Sequence, residues 1–402
     1  MIINELNSIK NKHLFLEKDE NGREIYIYNL EKCKFTGDNL FYPNVLIYYN
    51  DNLYSPMKEK IMSLESLENN TEYEYNETIN KKVENTPVFY FVYNTDNYYH
   101  FVYDTLPYLI SYNELKKQIP DLKLLMNYPN PKKDIFYTFV VEFLQLLDIS
   151  IEDIIIVDKD AEYSKVYIST SYTHDIDSNL PPRNEIYDFY KHIISNVNII
   201  KDTPKKIYIS RRSWVHGDYS NIGTNYTMRR KLENEDDLVE MLCNNGFVEV
   251  FSENLSTIEK ISYFNNADIV IGAIGGGICN VLFSPKDAKL IALISPTFLS
   301  VNKRFIYSLE KVNIEYFVDT EHSEKDYFKT NMRVKTNNGI VGEIEKVYEN
   351  SVLISYTKDK VSGWNSEMIF DKIEIDKNFL TKLDDGLNSP WKVKIKNIKY
   401  KI

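Results

Sequence analysis

The sequence has no apolar run approaching the roughly 18 residues that a membrane-spanning helix needs. Its first twenty residues, MIINELNSIKNKHLFLEKDE, hold no apolar core long enough for a secretion signal. No integral membrane segment is expected, and the chain is expected to act from the cytoplasm, on the soluble side of any envelope polymer it serves. Cysteine is scarce. Cys33, Cys243 and Cys279 are odd in number and far apart, which gives neither a disulfide framework nor a metal-ligand spacing and fits a reducing compartment. Positive charge is short as well: 48 Lys and Arg stand against 59 Asp and Glu, a net charge of −11. Nucleic acid is disfavoured as a partner, because phosphate contacts need a basic surface. No GxSxG occurs, so nothing supports a serine-hydrolase elbow.

What is present suits a globular α/β chain. A hydrophobic share of 43% over 402 residues supports a proper core and two domains, with room for a third. Ile25 to Tyr28 and Val45 to Tyr49 read as strands separated by turn residues, and the polar, acidic stretch 62–86 reads as a linker. Strand and helix patterns then alternate. Strands are expected at Pro87 to Tyr93, Lys123 to Met126, Ile154 to Val157 and Val166 to Ser169, with helices at 98–109, 135–147 and 185–197. The pattern restarts with strands at Lys206 to Ser210, Phe247 to Val250, Ile269 to Ile271 and Leu290 to Ile294. Helices open at Asn234, a plausible N-cap followed by acids, and at Ser256. Such alternation implies parallel sheets, with ligands in the cleft between two α/β halves. From Asn331 short strands around the Asn337-Asn338-Gly339 turn predict a small antiparallel, SH3- or KOW-like barrel. The tail Trp391 to Lys396 alternates apolar residues with lysine, the pattern of an edge strand guarded by charge.

The stretch Ala267 to Pro285, ADIVIGAIGGGICNVLFSP, reads as buried strand, glycine turn and helix start. Glycines let backbone N–H groups approach a ligand, and a helix start favours an anion. Gly275, Gly276 and Gly277 followed by Asn280 miss the dinucleotide fingerprint GxGxxG by their last position. A tight turn with no ligand is the alternative. His100 and Asp104 are four apart on an expected helix, hence on one face, and can serve as base and orienter. Ser210-Arg211-Arg212 end a strand, where arginine suits a diphosphate, and Arg229-Arg230 and Asn234-Glu235 follow. Asp175 and Asp177 form a DxD pattern that could bind a divalent cation, though an acidic loop is the favoured reading. Together these point to a nucleotide-diphosphate leaving group held by one half and an acceptor activated by the other. Arginines and helix dipoles could neutralise the leaving phosphates, so no metal is required.

The ordered set resembles glycosyltransferase family 61. The residues carrying the resemblance are Tyr98-Tyr99-His100-Phe101 with Asp104 and Leu106-Pro107; Tyr208-Ile209-Ser210-Arg211; Arg230 and Asn234-Glu235; Gly246-Phe247; Ala267 to Gly272; and Gly275-x-Gly277-x-x-Asn280-x-x-Phe283. It covers roughly residues 28–300. The resemblance implies a GT-B-like arrangement of two Rossmann-like domains and inverting, metal-independent transfer from a nucleotide sugar, a UDP-sugar first among them, with no other cofactor. By position, Arg211, Arg230, Asn234, Glu235 and the turn Gly275, Gly276, Gly277 to Asn280 would bind the donor. Asp104 is expected as the base, with His100 close behind. The family usually has His where this chain has Ile274, which removes one contact to the leaving phosphates if that His makes one.

The expected organisation is a β-rich region and linker over 1–85, an acceptor half over 86–200, a donor half over 201–330 and a small β module over 331–402. The expected partners are a nucleotide-sugar donor and a glycan or protein acceptor, as in surface or capsular polysaccharide synthesis; self-association into a homo-oligomer is compatible with the sequence. A degenerate relative that binds sugar nucleotide or glycan without transfer is the second reading, favoured by Ile274. A dinucleotide oxidoreductase is the third, and the missing glycine speaks against it.

Overall fold

The computed structural model describes residues 4–6, 12–18, 22–36, 46–49, 52–55, 60–63, 82–91, 97–128, 135–173, 180–212, 232–295, 303–322, 328, 330, 333–359, 369–382 and 391–402. Two sheets with parallel strands dominate. The first has eight strands. Its central members are β1 (Glu24–Cys33), β2 (Val88–Tyr90), β3 (Lys123–Met126), β4 (Ile154–Ile156) and β5 (Ala161–Ser169). They lie in the order β1-β5-β2-β3-β4; β5, β2, β3 and β4 are parallel and β1 runs antiparallel to β5. The N-terminal strands Asn4–Leu6 and Lys12–Lys18 add to the β1 edge. The N-terminal segment thus contributes strands to the sheet of the first half. Strands from Phe35–Thr36 to Lys60–Ser63 form a separate four-stranded antiparallel meander.

The second sheet contains β6 (Lys206–Ile209), β7 (Val248–Val250), β8 (Ile269–Ala273), β9 (Lys289–Leu293) and β10 (Asn313–Phe317). All five are parallel, in the order β7-β6-β8-β9-β10. The sequence pattern had shown the first four; β10, whose apolar run is broken by Asn313 and Glu315, it had not. In this doubly wound order the chain leaves β6 towards one edge and returns to build the other, so a crevice opens beyond the carboxyl ends of β6 and β8. The β6 end carries Ser210 and Arg211, and the β8 end carries the glycine turn. In the first sheet the same reversal falls between β2 and β5.

Four helices position the site: α1 (Tyr108–Lys116), α2 (Glu185–Ser195), α3 (Glu235–Cys243) and α4 (Thr257–Asn266). Ser256 caps α4 as expected: its hydroxyl accepts from Glu259 N, and the Glu259 carboxylate accepts from Ser256 N at 2.8 Å. Ser256→Ala is expected to cost about 1 kcal/mol in a denaturant titration. Asn234 precedes α3 but makes no capping bond; its side chain is engaged elsewhere.

One apolar cluster runs through both halves, from Ile27 and Phe89 to Val281, Phe283 and Leu290, and a second, around Tyr208, Ile271 and Trp391, lies within the second half. The halves meet through aromatic rings: Tyr99 stacks on Phe305 at 4.5 Å, and Phe143 and Tyr190 pack on Phe283. Beyond them, strands from Arg333–Thr336 to Leu380–Lys382 form a five-stranded antiparallel sheet over Val334, Ile344, Val352 and Ile354. These strands lie within the stretch where the sequence placed a small antiparallel barrel, and Gly339, at φ +91°, makes the turn between the first two. Trp391–Val393 leaves this module and pairs with Thr320–His322, against the second half. Among the described residues, no helix is long and apolar enough to cross a membrane.

Candidate active site

His100 and Asp104 lie on a π-helical turn, His100–Thr105, that follows β2. The expected α-helix is widened here for a local reason. Pro107 has no N–H, and in an α-helix its ring would collide with the carbonyl of Tyr103. The turn opens instead, Leu106 N bonding to Phe101 O at 2.9 Å, and α1 starts afresh after Pro107. Such turns gather at functional sites. Asn97 Oδ1 accepts from the amides of Tyr99 and His100, and Tyr190 donates to Val102 O at 2.8 Å, so the turn is fixed at both sides.

Within it His100 Nδ1 lies 2.6 Å from Asp104 Oδ2. The Asp104 side chain is fully buried, whereas that of His100 is 28% exposed. An ionised carboxylate only accepts, so with Asp104 ionised Nδ1 is the donor of this bond. Asp104 Oδ1 also accepts from the buried Thr173 hydroxyl at 3.4 Å. Thr173 follows β5, and its amide is held by Ser171 Oγ. Sequence reading did not single out Thr173; the signal available was its place just past a strand end in an α/β sheet.

Across from this turn, Arg211 extends the end of β6. Its guanidinium donates to Ile274 O at 3.3 Å, and its amide donates to Glu235 Oε1 at 2.8 Å. Glu235 also accepts from Tyr208 OH at 2.8 Å and Ser210 Oγ at 3.2 Å. Burial pushes its carboxyl above the usual range, against these donors and the Arg211 charge, which favour the ionised form. The neighbouring Arg212 is spent differently, forking onto Glu249 and bonding Asp236 at 2.6 Å. Arg229, Arg230, Asp175 and Asp177 lie outside the described residues.

The glycine turn is shaped by contact. A Cβ on Gly275 would run into the Arg211 guanidinium, and one on Gly277 would lie 2.8 Å from Ser252 Oγ. A Cβ on Gly276 would meet only Tyr99 N, at 3.9 Å, so the turn abuts the residue that precedes His100. The helix that follows, Gly276–Phe283, is 3-10 rather than α. Asn280 Nδ2 donates to Gly277 O at 2.9 Å, a carbonyl that an α-helix would pledge to the backbone. Asn280 Oδ1 accepts from Tyr98 OH at 2.6 Å, tying the glycine turn to the segment leading into His100. Asn280 is fully buried, and these two bonds occupy its amide. Ile274 packs its side chain into the common core and presents only its carbonyl to Arg211. Lys260 lies 4.9 Å from the Tyr98 ring centroid, and burial pulls its ammonium below the ordinary lysine range.

The structure thus groups His100, Asp104 and Thr173 at one strand-end crevice, and Arg211, Glu235 and Gly275 to Gly277 at another, joined by the Tyr98–Asn280 bond. Among the described residues, no group of three or more His, Cys, Asp or Glu could hold a metal ion. A search of curated proteins finds none that matches the chain. The sequence model of the family described as Glycosyltransferase 61 matches residues 98–291, a span that begins at Tyr98 and ends within β9. That match to glycosyltransferase family 61 takes in the His100–Asp104 pair, the strand-end Arg211 and the glycine turn, the residues on which the resemblance rests.

Proposed function

We propose that the protein transfers a sugar from a nucleotide-sugar donor to a hydroxyl of a glycan or protein acceptor, with inversion at the anomeric carbon and without a metal. The observation that carries this reading is the partly exposed imidazole backed by a buried carboxylate, His100 on Asp104, next to the glycine turn. This reading reverses the order expected from sequence, and the burial of Asp104 supports it. Asp104 has no surface to offer an acceptor, so His100 Nε2 is the base and Asp104 orients it.

The step follows from the chemistry of the groups. His100 Nε2 takes the proton of the acceptor hydroxyl as its oxygen bonds to the anomeric carbon. The bond from that carbon to the diphosphate oxygen breaks, and its electron pair leaves with the phosphate. Arg211 and the N–H groups at the start of the 3-10 helix meet the charge that develops there. Glu235 holds the Arg211 main chain, and the Tyr98–Asn280 bond holds base and turn in register. This division into an acceptor half and a donor half corresponds to a GT-B-like arrangement, and the cytoplasmic synthesis of a surface or capsular glycan suits a chain of this kind.

A screen of nucleotide sugars, read as protein-dependent release of nucleoside diphosphate with and without acceptor glycans, tests the reading. Turnover of at least one donor, lost in His100→Ala, is the expected result. A second reading rests on Ile274, whose buried side chain offers the leaving phosphates nothing. On that reading the protein binds sugar nucleotide without transfer, and the same screen would show saturable binding with no turnover of any donor.

A further inference from the structure

The family match ends at residue 291, yet the second half is completed by the last described segment of the chain. Trp391–Val393 pairs antiparallel with Thr320–His322 on one side. On the other side Trp391 bridges to Leu232, and Glu233 N donates to Trp391 O at 2.9 Å. Trp391 is 1% exposed and packs with Tyr208, Leu232 and Leu238. Tail lysines meet acids of the same half, Lys392 at Glu233 and Lys401 at Glu315.

Asn234 is the hinge of this arrangement. Its Nδ2 donates to Val393 O at 2.8 Å, and its Oδ1 accepts from Val393 N at 3.0 Å. The side-chain amide therefore behaves as one more peptide group paired with the tail, and its carbonyl and amino groups are both committed. The next residue is Glu235, whose carboxylate fixes the Arg211 amide, and Arg211 in turn reaches the glycine turn through Ile274 O.

We infer that Asn234 is a positioning residue rather than a donor contact, and that Val393 sets the nucleoside-diphosphate site by holding Asn234 and, through Glu235, the Arg211 main chain. The inference rests on the reading of Arg211 as a donor contact. It extends the functional unit from the family segment to residue 393.

Hydrogen exchange at the Arg211 amide and calorimetric titration with UDP, both on the full chain, test it. In Asn234→Ala the Arg211 amide is expected to exchange at least tenfold faster, with Val88–Tyr90 unchanged, and UDP binding to weaken several-fold. Asn234→Asp keeps the bond from Val393 N and is expected to fall between Asn234→Ala and the parent. Should Asn234→Ala exchange faster everywhere, Asn234→Asp decides, because a purely structural role would leave its Arg211 amide no faster than the rest of the second half. Arg211 exchange equal to the parent in both variants overturns the inference. Absence of UDP binding in the parent would count against UDP as the donor nucleotide, while the exchange at Arg211 still decides the positioning claim.

Discussion

His100→Gln is expected to slow sugar transfer by about 10²- to 10⁴-fold while leaving donor affinity unchanged, the usual contribution of a positioned general base. The expectation follows from exposure. His100 alone of the pair reaches the surface, with the Asp104 carboxylate behind it 2.6 Å from Nδ1. Asp104→Asn is expected to lower the rate as well, because an amide can donate to Nδ1 and leave the wrong nitrogen protonated. Thr173→Val removes one hydroxyl bond and is expected to cost roughly 2- to 10-fold, the equivalent of about 0.5–1.5 kcal/mol. Rates are read as donor consumption in the presence of acceptor. A normal rate in His100→Gln beside a dead Asp104→Asn would return the role of base to Asp104.

Arg211→Ala is expected to weaken nucleoside-diphosphate binding by roughly 10- to 100-fold, since a hydrogen bond to a charged group is worth about 1.5–3 kcal/mol. The fold should survive, because Glu235 grips the Arg211 main chain and not its guanidinium. Gly275→Ala should reproduce the defect without touching the charge. Its Cβ would occupy the place of the guanidinium and force Arg211 away from Ile274 O. Gly276→Ala meets only Tyr99 N at ordinary distance and should leave thermal stability as it is in the parent. Calorimetric titrations and melting curves on the three variants separate these outcomes. Equal binding by Arg211→Ala and the parent would remove the strand-end arginine from the site.

Much of this was legible in the sequence, and the limits have physical causes. The second sheet could be read because β6, β8 and β9 are buried on both faces and therefore apolar at successive positions. The i, i+4 spacing placed His100 and Asp104 together but said nothing about which one faces water; that depends on Thr173 and Tyr190, distant in sequence. Pro107 held the clue to the widened turn, for its ring forbids the α-helix that the apolar pattern suggested. Asn234 looked like an N-cap because the acids of α3 follow it, yet Val393, 159 positions away, takes its amide. Local pattern has no access to such a partner. The alternation of the tail announced an edge strand as far as Lys396, but the strand stops at Val393, is bonded on both sides, and gives way to a helix at Ile395–Ile398.

The central claim is that the crevice between β6 and β8 holds the diphosphate of a nucleotide sugar beside His100. Titration of the full chain with a panel of nucleoside diphosphates, alongside Arg211→Ala and His100→Gln, tests it most directly. The account predicts saturable binding of at least one diphosphate, weakened at least tenfold in Arg211→Ala and unchanged in His100→Gln. Binding that is absent across the panel, or indifferent to Arg211, would contradict it.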